Sequence, residues 1–396
     1  MATRRELDTE RTRVPLPIVI ATIMRERRET GVQTHFLQFR DYLAARGIEA
    51  SIVTPFMFPK LYVYPVFAVR RVLDPLHGSA SVWWYQFWHY VFLKQVLRRV
   101  LRTRRPLVVY AQCPLSAKAA LETRTSPNQK VFMAVQFNIS QADEWVGAGK
   151  VTRDNWLYRR IQTLEREVLP RLDGIVYVSR FMRETVERRI PEVCAVRSEL
   201  IPNFVGPPEP LAQPEAHGDL ISIGSLEPRK NQAYLLRVLA AASARGRSYT
   251  LTLVGAGSQR RQLKRLAHEL RLDQQVRFLG FRADAARLLP GHRAYVHAAT
   301  MENLSVTLLE ALASHIPVFA APVGGTPEIF SDGVEGVYWS LDDPVEGANK
   351  LIELLEDEPR YARMKAAAAS RVQERFAVEP VAGRLTDFLS GASHIP

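Results

Sequence analysis

Cysteine is scarce in this sequence: the 396 residues include only Cys113 and Cys194, which lie far apart. Two isolated thiols provide neither a disulfide framework nor the paired spacing of a zinc site. A small disulfide-rich fold and a cysteine metal centre are therefore excluded, and a reducing compartment is favoured.

Long apolar runs are also missing. No stretch of eighteen apolar residues occurs, and residues 1–13 are too charged to form a signal peptide. We therefore expect a cytoplasmic protein, and peripheral contact with the inner face of a membrane stays open.

Charge is unevenly distributed along the chain. Residues 1–205 hold 32 Lys and Arg against 19 Asp and Glu, whereas residues 206–396 hold 21 against 22. A basic first half fits an anionic membrane, an acidic acceptor or a nucleic acid, and it fits equally well a solubilising Arg-rich surface. Since no nucleic-acid-binding module is present, we expect no nucleic-acid partner.

Short apolar runs alternate with helical patterns over most of the chain, which predicts parallel sheets with both faces covered. Five runs precede a Pro-rich stretch at 202–218, which is typical of a linker, and five follow it. The sequence therefore predicts two doubly wound α/β domains, with a cleft at the carboxyl ends of their strands. The predicted strands are 18–22, 50–54, 107–111, 131–136, 174–178, 220–224, 250–255, 276–280, 294–298 and 318–321.

The segment GSLEPRKN, residues 224–231, follows a predicted strand and precedes a helix. Gly224 allows the backbone to approach a ligand closely, and Arg229 and Lys230 add cations at a helix N-terminus that already favours anions. This arrangement suits a pyrophosphate, and a solvated helix cap is the alternative.

A second segment, TMENLSVTLLEALASHIPVFAAPVGGTPE, spans residues 300–328. Its acids Glu302 and Glu310 are eight residues apart, at most about 12 Å along a helix, so both can contact one extended ligand. A helix cap plus a surface acid is the alternative. Glu328, after the Gly324-Gly325 turn, is either a further ligand contact or a capping acid.

Together these two segments resemble the donor-binding half of retaining, nucleotide-sugar glycosyltransferases of family 4. The resemblance implies the GT-B fold, in which two Rossmann-like domains face each other across a cleft. It divides the chain into an acceptor-binding domain, 1–205, and a donor-binding domain, 206–379, with a last helix within 380–396 that returns to the first domain. It implies transfer of a sugar from a nucleoside diphosphate sugar, as co-substrate, to a hydroxyl acceptor.

The resemblance also assigns roles on the donor side. Glu310 would bind the ribose hydroxyls and Glu302 hydroxyls of the transferred sugar, while Lys230 and Arg229 hold the diphosphate. Ser225 stands where the family commonly has Arg. The remaining expected donor contacts, through backbone or close packing, are Gly224, Gly255, Phe278, Leu279, Asn303, Leu304 and Ser305.

On the acceptor side, Gln136 stands where the family often has His. Glutamine donates and accepts hydrogen bonds but takes no proton at neutral pH, so it would orient the substrates rather than act as a base. We therefore expect a catalytic set of Glu302, Gln136 and Lys230. The expected acceptor contacts are Gly31, Gln33, Asn138, Asp143 and Glu144, and a loop or helix start is the alternative for the two acids.

No metal is expected, because no Asp-x-Asp follows a predicted strand and the cations and helix dipoles would neutralise the diphosphate. Three alternatives come from other classes of protein. They are a GT-B-fold epimerase or phosphorylase, an inactive nucleotide-sugar-binding partner, and a basic scaffold for membrane or nucleic acid.

Residues 82–105, VWWYQFWHYVFLKQVLRRVLRTRR, combine tryptophans with an amphipathic second half. This segment predicts either a surface that rests on an anionic bilayer or, as we favour, a helix docked on the first sheet with its arginines in water. His315, where the family usually has Gly, is expected to adopt a positive φ in a turn.

Overall fold

The computed structural model describes residues 16–27, 30–76, 78–207 and 218–391, which form two six-stranded parallel sheets. Most of the predicted Pro-rich linker, 208–217, lies outside the described residues.

The first sheet has the strand order β2-β1-β3-β4-β5-β6. Strands β1, β3 and β5 are buried along their whole length, as expected for a sheet covered on both faces. Ile18 of β1 lies opposite Ala50 on one side and Val108 on the other. The strands are β1 (Ile18–Ala21), β2 (Ala50–Val53), β3 (Leu107–Ala111), β4 (Gln129–Val135), β5 (Gly174–Tyr177) and β6 (Ser198–Leu200).

Seven helices of the described residues accompany this sheet: α1 (Gly31–Ala45), α2 (Lys60–Leu76), α3 (Gly78–Val100), α4 (Pro114–Thr123), α5 (Gln141–Gly147), α6 (Trp156–Val168) and α7 (Arg180–Arg189). Short 3₁₀ helices lie at Pro55–Met57, Leu101–Thr103, Leu169–Arg171 and Pro191–Ala195. Helix α1 begins where the Thr30 side chain accepts a hydrogen bond from the Gln33 amide.

Helix α3 settles the interpretation of residues 82–105. Leu93, Leu97 and Leu101 are fully buried in the core beneath the first sheet, whereas Arg98 and Arg99 face solvent. The apolar side of the second half of the segment is therefore docked on the sheet, as favoured above, and its arginines lie in water.

The second sheet has the order β12-β11-β10-β7-β8-β9. Its strands are β7 (Gly218–Ile223), β8 (Leu251–Val254), β9 (Val276–Gly280), β10 (His292–His297), β11 (Val318–Ala320) and β12 (Gly336–Tyr338). The accompanying helices are α8 (Gln232–Ser243), α9 (Arg260–Glu269), α10 (Val306–Ala313), α11 (Thr326–Ile329), α12 (Pro344–Glu356) and α13 (Glu358–Arg375), with 3₁₀ helices at Pro228–Lys230 and Ala285–Gly291.

The last helix, α14 (Val378–Ser390), packs on the first sheet. The rings of Phe388 and Phe132 lie 5.4 Å apart, and Leu385 is fully buried in the cluster that contains Ile18 and Phe36. The chain therefore returns to its first half after completing the second, while residues 392–396 of the predicted helix lie outside the described residues.

The two sheets present their carboxyl ends to a common cavity. Residues directly after β1 and β4, such as Ile23 and Gln136, line it together with Gly224 after β7 and Gly255 after β8. The predicted architecture, two doubly wound Rossmann-like domains facing each other across a cleft, is confirmed.

Candidate active site

The interdomain cavity has a volume of about 1120 Å³ and collects most of the predicted site residues. From the first half of the chain it takes Gly31, Gln136, Asn138 and Glu144. From the second half it takes Gly224, Ser225, Arg229, Lys230, Gly255, Glu302, Asn303, Leu304, Ser305 and Glu310.

The cations of GSLEPRKN sit on a 3₁₀ turn, Pro228–Lys230, between β7 and α8. The Lys230 Nζ donates to Glu302 Oε2 over 2.7 Å. Arg229 Nη1 donates to the Met301 carbonyl oxygen over 2.9 Å and lies 3.4 Å from the same carboxylate oxygen. The two motifs, separated by about seventy residues in the chain, therefore form one charged cluster at the cavity wall.

Glu302 is the centre of this cluster and is only 9% exposed. Burial alone would raise the pKa of its carboxyl, but Lys230, His297 and Arg229 together outweigh burial and hold that pKa well below its usual range. Burial lowers the pKa of the Lys230 ammonium, and Glu302 partly opposes the shift. The site thus holds a carboxylate whose charge is maintained by its cations.

His297, at the end of β10, contacts the Glu302 carboxylate. Its Nε2 lies 3.3 Å from Glu302 Oε2, and its Nδ1 lies 3.4 Å from the Tyr295 hydroxyl. Burial lowers the pKa of the His297 imidazole, so the neutral tautomer with its proton on Nε2 donates to Glu302. The ring fixes the orientation of the carboxylate without adding positive charge.

The Gly324-Gly325 turn is packed directly on the Glu302 segment. A Cβ at Gly325 would come 1.8 Å from the Asn303 carbonyl oxygen, and one at Gly324 would come 1.9 Å from that of Glu302. The Gly325 amide donates to the Glu302 carbonyl over 3.0 Å. Only glycine fits at both positions, which explains why the turn accompanies the acidic pair in the sequence.

Two helix N-termini meet in the cavity. Helix α10 begins after Ser305, helix α1 begins after Thr30, and a Cβ on Gly31 would come 3.1 Å from the Val306 side chain. The unsatisfied amides and the dipole of each helix end favour negative charge. Together with Lys230 and Arg229, they make this wall of the cavity suitable for a multiply charged anion.

Glu144 lies on the opposite wall, in α5. Its Oε1 accepts hydrogen bonds from the Asn138 backbone and side-chain nitrogens, each over 3.3 Å. Burial raises the pKa of the Glu144 carboxyl to about 7, although Arg229 and the Asn138 amide oppose the shift. This carboxyl is therefore poised to change its charge near neutral pH.

Several polar atoms of residues that line the cavity have no hydrogen-bond partner within the described protein. They are Gln136 Nε2, Asn138 Oδ1, Gln141 Oε1 and Asn203 Oδ1, and all four residues line the cavity. Buried polar atoms are normally satisfied, so this set is consistent with a ligand that carries several hydroxyl groups.

Contrary to expectation, four of the predicted site residues do not line the cavity, namely Phe278, Leu279, Gln33 and Asp143. Phe278 packs into the core, with the Lys264 ammonium 5.7 Å from its ring centre, and Leu279 is exposed outside the cavity. Gln33 lies in the first turn of α1, where its Nε2 donates a hydrogen bond to the Arg25 carbonyl oxygen over 2.8 Å.

Asp143 is the fourth. Its carboxylate accepts from the Ser140 hydroxyl over 2.6 Å and from the Tyr158 hydroxyl over 3.2 Å, at the start of α5. Of the two interpretations left open for this acid, the structure supports the helix start. Neighbouring side chains on a helix are rotated around its axis, so Asp143 and Glu144 point to different surroundings.

Two further expectations are settled. The Glu328 carboxylate accepts from the Arg180 and Phe181 amides over 2.8 and 2.9 Å, so it caps helix α7 of the first half. It is a capping acid, but it caps a helix of the other domain. His315 has a φ of 58°, the positive value expected of it.

Other residues at the site were not predicted, namely His297, Gln141 and Asn203. His297 closes β10, Gln141 begins the helix after β4, and Asn203 follows β6. A polar residue just after a strand was the sequence signal that could have identified them. Arg282 and Arg287, after β9, also line the cavity and could have been noted as further cations on the donor side.

Within the described residues, no group of three or more His, Cys, Asp or Glu side chains is arranged to hold a metal ion. The expectation of metal-independent chemistry stays a prediction. No helix in the described parts of the chain is long and apolar enough to cross a bilayer.

Comparison with known proteins gives family matches over both halves. The family described as Glycosyltransferase Family 4 matches residues 30–207, and the family described as Glycosyl transferases group 1 matches residues 208–371. Together these matches cover most of the chain.

A curated relative is the GDP-mannose-dependent alpha-(1-6)-phosphatidylinositol monomannoside mannosyltransferase of Mycobacterium tuberculosis. It is 30% identical over 183 residues, which are 43% of this chain and 47% of the relative. The chain thus spans less than half the length of this curated relative.

Two solved structures share the fold. Sucrose-phosphate synthase from Thermosynechococcus elongatus superposes with a TM-score of 0.71 at 17% identity, over 96% of this chain and all of that one. Anabaena HepE in complex with UDP and glucose gives a TM-score of 0.66 at 17% identity, over 95% and 99% of the two chains. At this identity the likeness shows the GT-B fold alone.

Proposed function

Because the chain belongs to the glycosyltransferases of family 4 and of the group 1 family, we propose that it moves a sugar from a nucleoside diphosphate sugar to a hydroxyl acceptor. We further propose that the reaction retains the anomeric configuration and needs no metal. The observation that carries the proposal is the buried cluster of Glu302, Lys230 and Arg229 at the wall of a cavity between two Rossmann-like domains.

The diphosphate of the donor binds against the cations. Lys230 and Arg229 supply two positive charges, and the N-termini of α1 and α10 supply oriented amides from both sides of the cleft. Charge that develops on the leaving diphosphate is stabilised by groups that are already in place before the reaction. This arrangement takes over the role that a divalent cation plays in other transferases.

The two acids of the second segment bind the sugars on either side of that diphosphate. Glu310 lies on α10, whereas Glu302 lies in the loop before that helix. Both line the same cavity, and there Glu310 binds the ribose hydroxyls. Glu302, held charged by its cations, accepts hydrogen bonds from hydroxyls of the transferred sugar. Binding of the donor then replaces part of the ion pair between Glu302 and Lys230.

The acceptor binds at the wall that carries the unpartnered polar atoms of Gln136, Asn138 and Gln141. In the reaction the bond from the anomeric carbon to the diphosphate oxygen breaks, and the acceptor oxygen bonds to that carbon on the same face. The acceptor proton passes to the departing phosphate oxygen. Gln136 orients the reacting groups, and closure of the two domains excludes the water that would hydrolyse the donor.

The mannosyltransferase has GDP-mannose in its name and the HepE structure is in complex with UDP, so the base of the donor needs direct measurement. Thermal unfolding with UDP-, GDP-, dTDP- and ADP-sugars would identify the donor, since a ligand that binds only the native state raises the melting temperature. The chain is proposed to work in the cytoplasm.

The deciding experiment uses the identified donor labelled in its sugar. Nucleoside diphosphate release that depends on an added hydroxyl acceptor, with label in the product, supports transfer, and NMR of the product shows its anomeric configuration. Release without acceptor, or isomerised donor, would instead favour a phosphorylase or an epimerase. Glu302→Gln should abolish transfer, whereas Glu353→Gln, an exposed acid on α12, should leave it unchanged.

A further inference from the structure

Exposed apolar side chains are concentrated in one short part of the chain. Among the described residues, eleven large hydrophobic side chains are exposed, and six of them fall between residues 57 and 87. These six are Met57, Leu61, Tyr62, Tyr64, Val69 and Phe87. Scattered exposed apolar residues are ordinary, but a cluster of this kind marks an interaction surface.

Helix α2 carries most of the cluster and has two apolar faces. One face is used inside the protein: Val63 is 2% exposed, and the ring of Phe67 lies 4.3 Å from that of His89 in α3. The Trp84 indole also donates to the Val66 carbonyl over 2.8 Å. Because these contacts already hold α2 on α3, folding does not explain the second face.

That second face points to solvent. Leu61 is 78% exposed, Tyr62 58% and Tyr64 57%, so more than half of each residue is open to solvent. Met57, in the 3₁₀ turn before α2, is 55% exposed and extends the face at its N-terminal end. We call Met57, Leu61, Tyr62 and Tyr64 the α2 face.

The stretch of sequence that carries the α2 face is basic. Residues 55–106 contain nine lysines and arginines and a single acid, Asp74. The Arg99 guanidinium lies 5.6 Å from the ring centre of Phe58, whose ring is 6.0 Å from that of Tyr62. Lys60 opens the helix itself, so apolar and cationic side chains share one surface.

The α2 face lies outside the aromatic layer that borders the cavity. Tyr85 of α3 lines the acceptor side of the cavity, and its ring lies 3.8 Å from that of His89, which in turn contacts Phe67 of α2. Helix α2 itself and the rings of Phe67 and His89 therefore separate the α2 face from Tyr85 at the cavity.

We propose that the α2 face docks on an anionic lipid bilayer. Tyrosine, leucine and methionine on one side of a helix, flanked by Lys and Arg, are the composition of helices that lie in a membrane interface. Anionic lipids attract the cations of this stretch, such as Lys60 at the start of α2 and Arg99 beside Phe58. The proposal concerns a surface outside the cavity and does not depend on the reaction proposed above.

Vesicle sedimentation tests the proposal with the full chain. We expect binding to vesicles of equimolar phosphatidylcholine and phosphatidylglycerol, and much weaker binding to phosphatidylcholine alone. Combined replacement of Leu61, Tyr62 and Tyr64 by serine should lower partitioning roughly tenfold or more, because the apolar anchors are lost. High salt should weaken binding of the unaltered chain by screening its cations.

A matched variant controls for loss of apolar surface in general. Val334→Ser combined with Val345→Ser removes side chains that are 50% and 45% exposed on the second half, and it should leave partitioning unchanged. Equal melting temperatures, with and without nucleoside diphosphate, would show that every variant is folded. The proposal would be overturned if the triple serine variant partitioned like the unaltered chain. It would also be overturned if the unaltered chain bound both vesicle types equally or bound neither.

Discussion

Replacement of Lys230 by methionine should destabilise the second domain more than its position on a cavity wall suggests. The ammonium is 13% exposed and lies 2.7 Å from Glu302 Oε2, whose side chain is 11% exposed. Removing one partner of a buried pair typically costs about 3–5 kcal/mol, because the remaining charge is left unpaired. Since Arg229 and His297 stay near Glu302, we expect a loss at the lower end, about 3 kcal/mol.

The same change should be much less harmful when Glu302 is already glutamine. The double variant, Lys230→Met with Glu302→Gln, leaves no unpaired carboxylate, so its loss should fall short of the sum of the single losses by at least about 1 kcal/mol. Urea unfolding of the four proteins measures this coupling from the midpoints, provided that the slopes agree.

Additive losses, with a coupling below about 0.5 kcal/mol, would refute the reasoning, since they would show that the two side chains do not interact in solution. Nucleoside diphosphate binding gives a second readout by calorimetry. A hydrogen bond to a charged group contributes about 1.5–3 kcal/mol, so Lys230→Met should weaken binding by roughly 10- to 100-fold. Equal affinity would place the diphosphate elsewhere.

Three further predictions concern other parts of the chain. Burial raises the pKa of Glu144 to about 7 in the folded protein. The contribution of its carboxyl to stability is therefore present in acid and is lost as the pH rises through 7. At pH 8, but not in acid, the Glu144→Gln variant should unfold at a higher urea concentration than the unaltered chain. Glu328→Gln should lower the free energy of unfolding by about 1 kcal/mol, because a neutral side chain caps helix α7 less well. Leu97→Ala should cost about 2–5 kcal/mol in urea unfolding, as Leu97 is fully buried, while a change near zero would contradict the docking of α3. Arg98→Ala, on the exposed side of α3, is its control and should lie within about 0.5 kcal/mol of the unaltered chain.

The strands of both sheets could be predicted because parallel strands buried on both faces are written as short, nearly continuous apolar runs. The runs at 107–111 and 276–280 coincide with β3 and β9 residue for residue. The edge strands β6 and β12 were not predicted from the sequence. Each is three residues long, and β6 is Ser-Glu-Leu, so neither produces an apolar run.

Helix α2 was missed for a different reason. Its sequence, KLYVYPVFAVRRVLDPL, contains Pro65, Pro75 and many β-branched or aromatic residues, all of which argue locally against a helix. Packing of Val63 and Phe67 on α3 overrides that local preference. Tertiary contacts of this kind leave no periodic signal strong enough to read from the chain alone.

Within the site, the sequence identified residues near the ligand but not their partners. That Glu302 and Lys230 form an ion pair follows from the register of β7 and β10, which are neighbours in the sheet although 72 residues separate the two side chains. Phe278 and Leu279 were expected at the cavity because the end of their strand was equated with the cavity edge. Strand β9 lies at the margin of its sheet, and the cavity takes instead Phe281 and Arg282 from the loop that follows.

Asn303 connects the two halves of the chain at the cavity. Its Nδ2 donates to the carbonyl oxygens of Val135 and Phe137, over 3.2 and 3.0 Å, and these two residues flank Gln136. Its backbone meanwhile leads into α10 and its carbonyl lies against the Gly325 turn. These hydrogen bonds tie the Glu302 loop to the backbone that holds Gln136, so we expect a shift of that loop on binding a diphosphate to move both walls of the cavity.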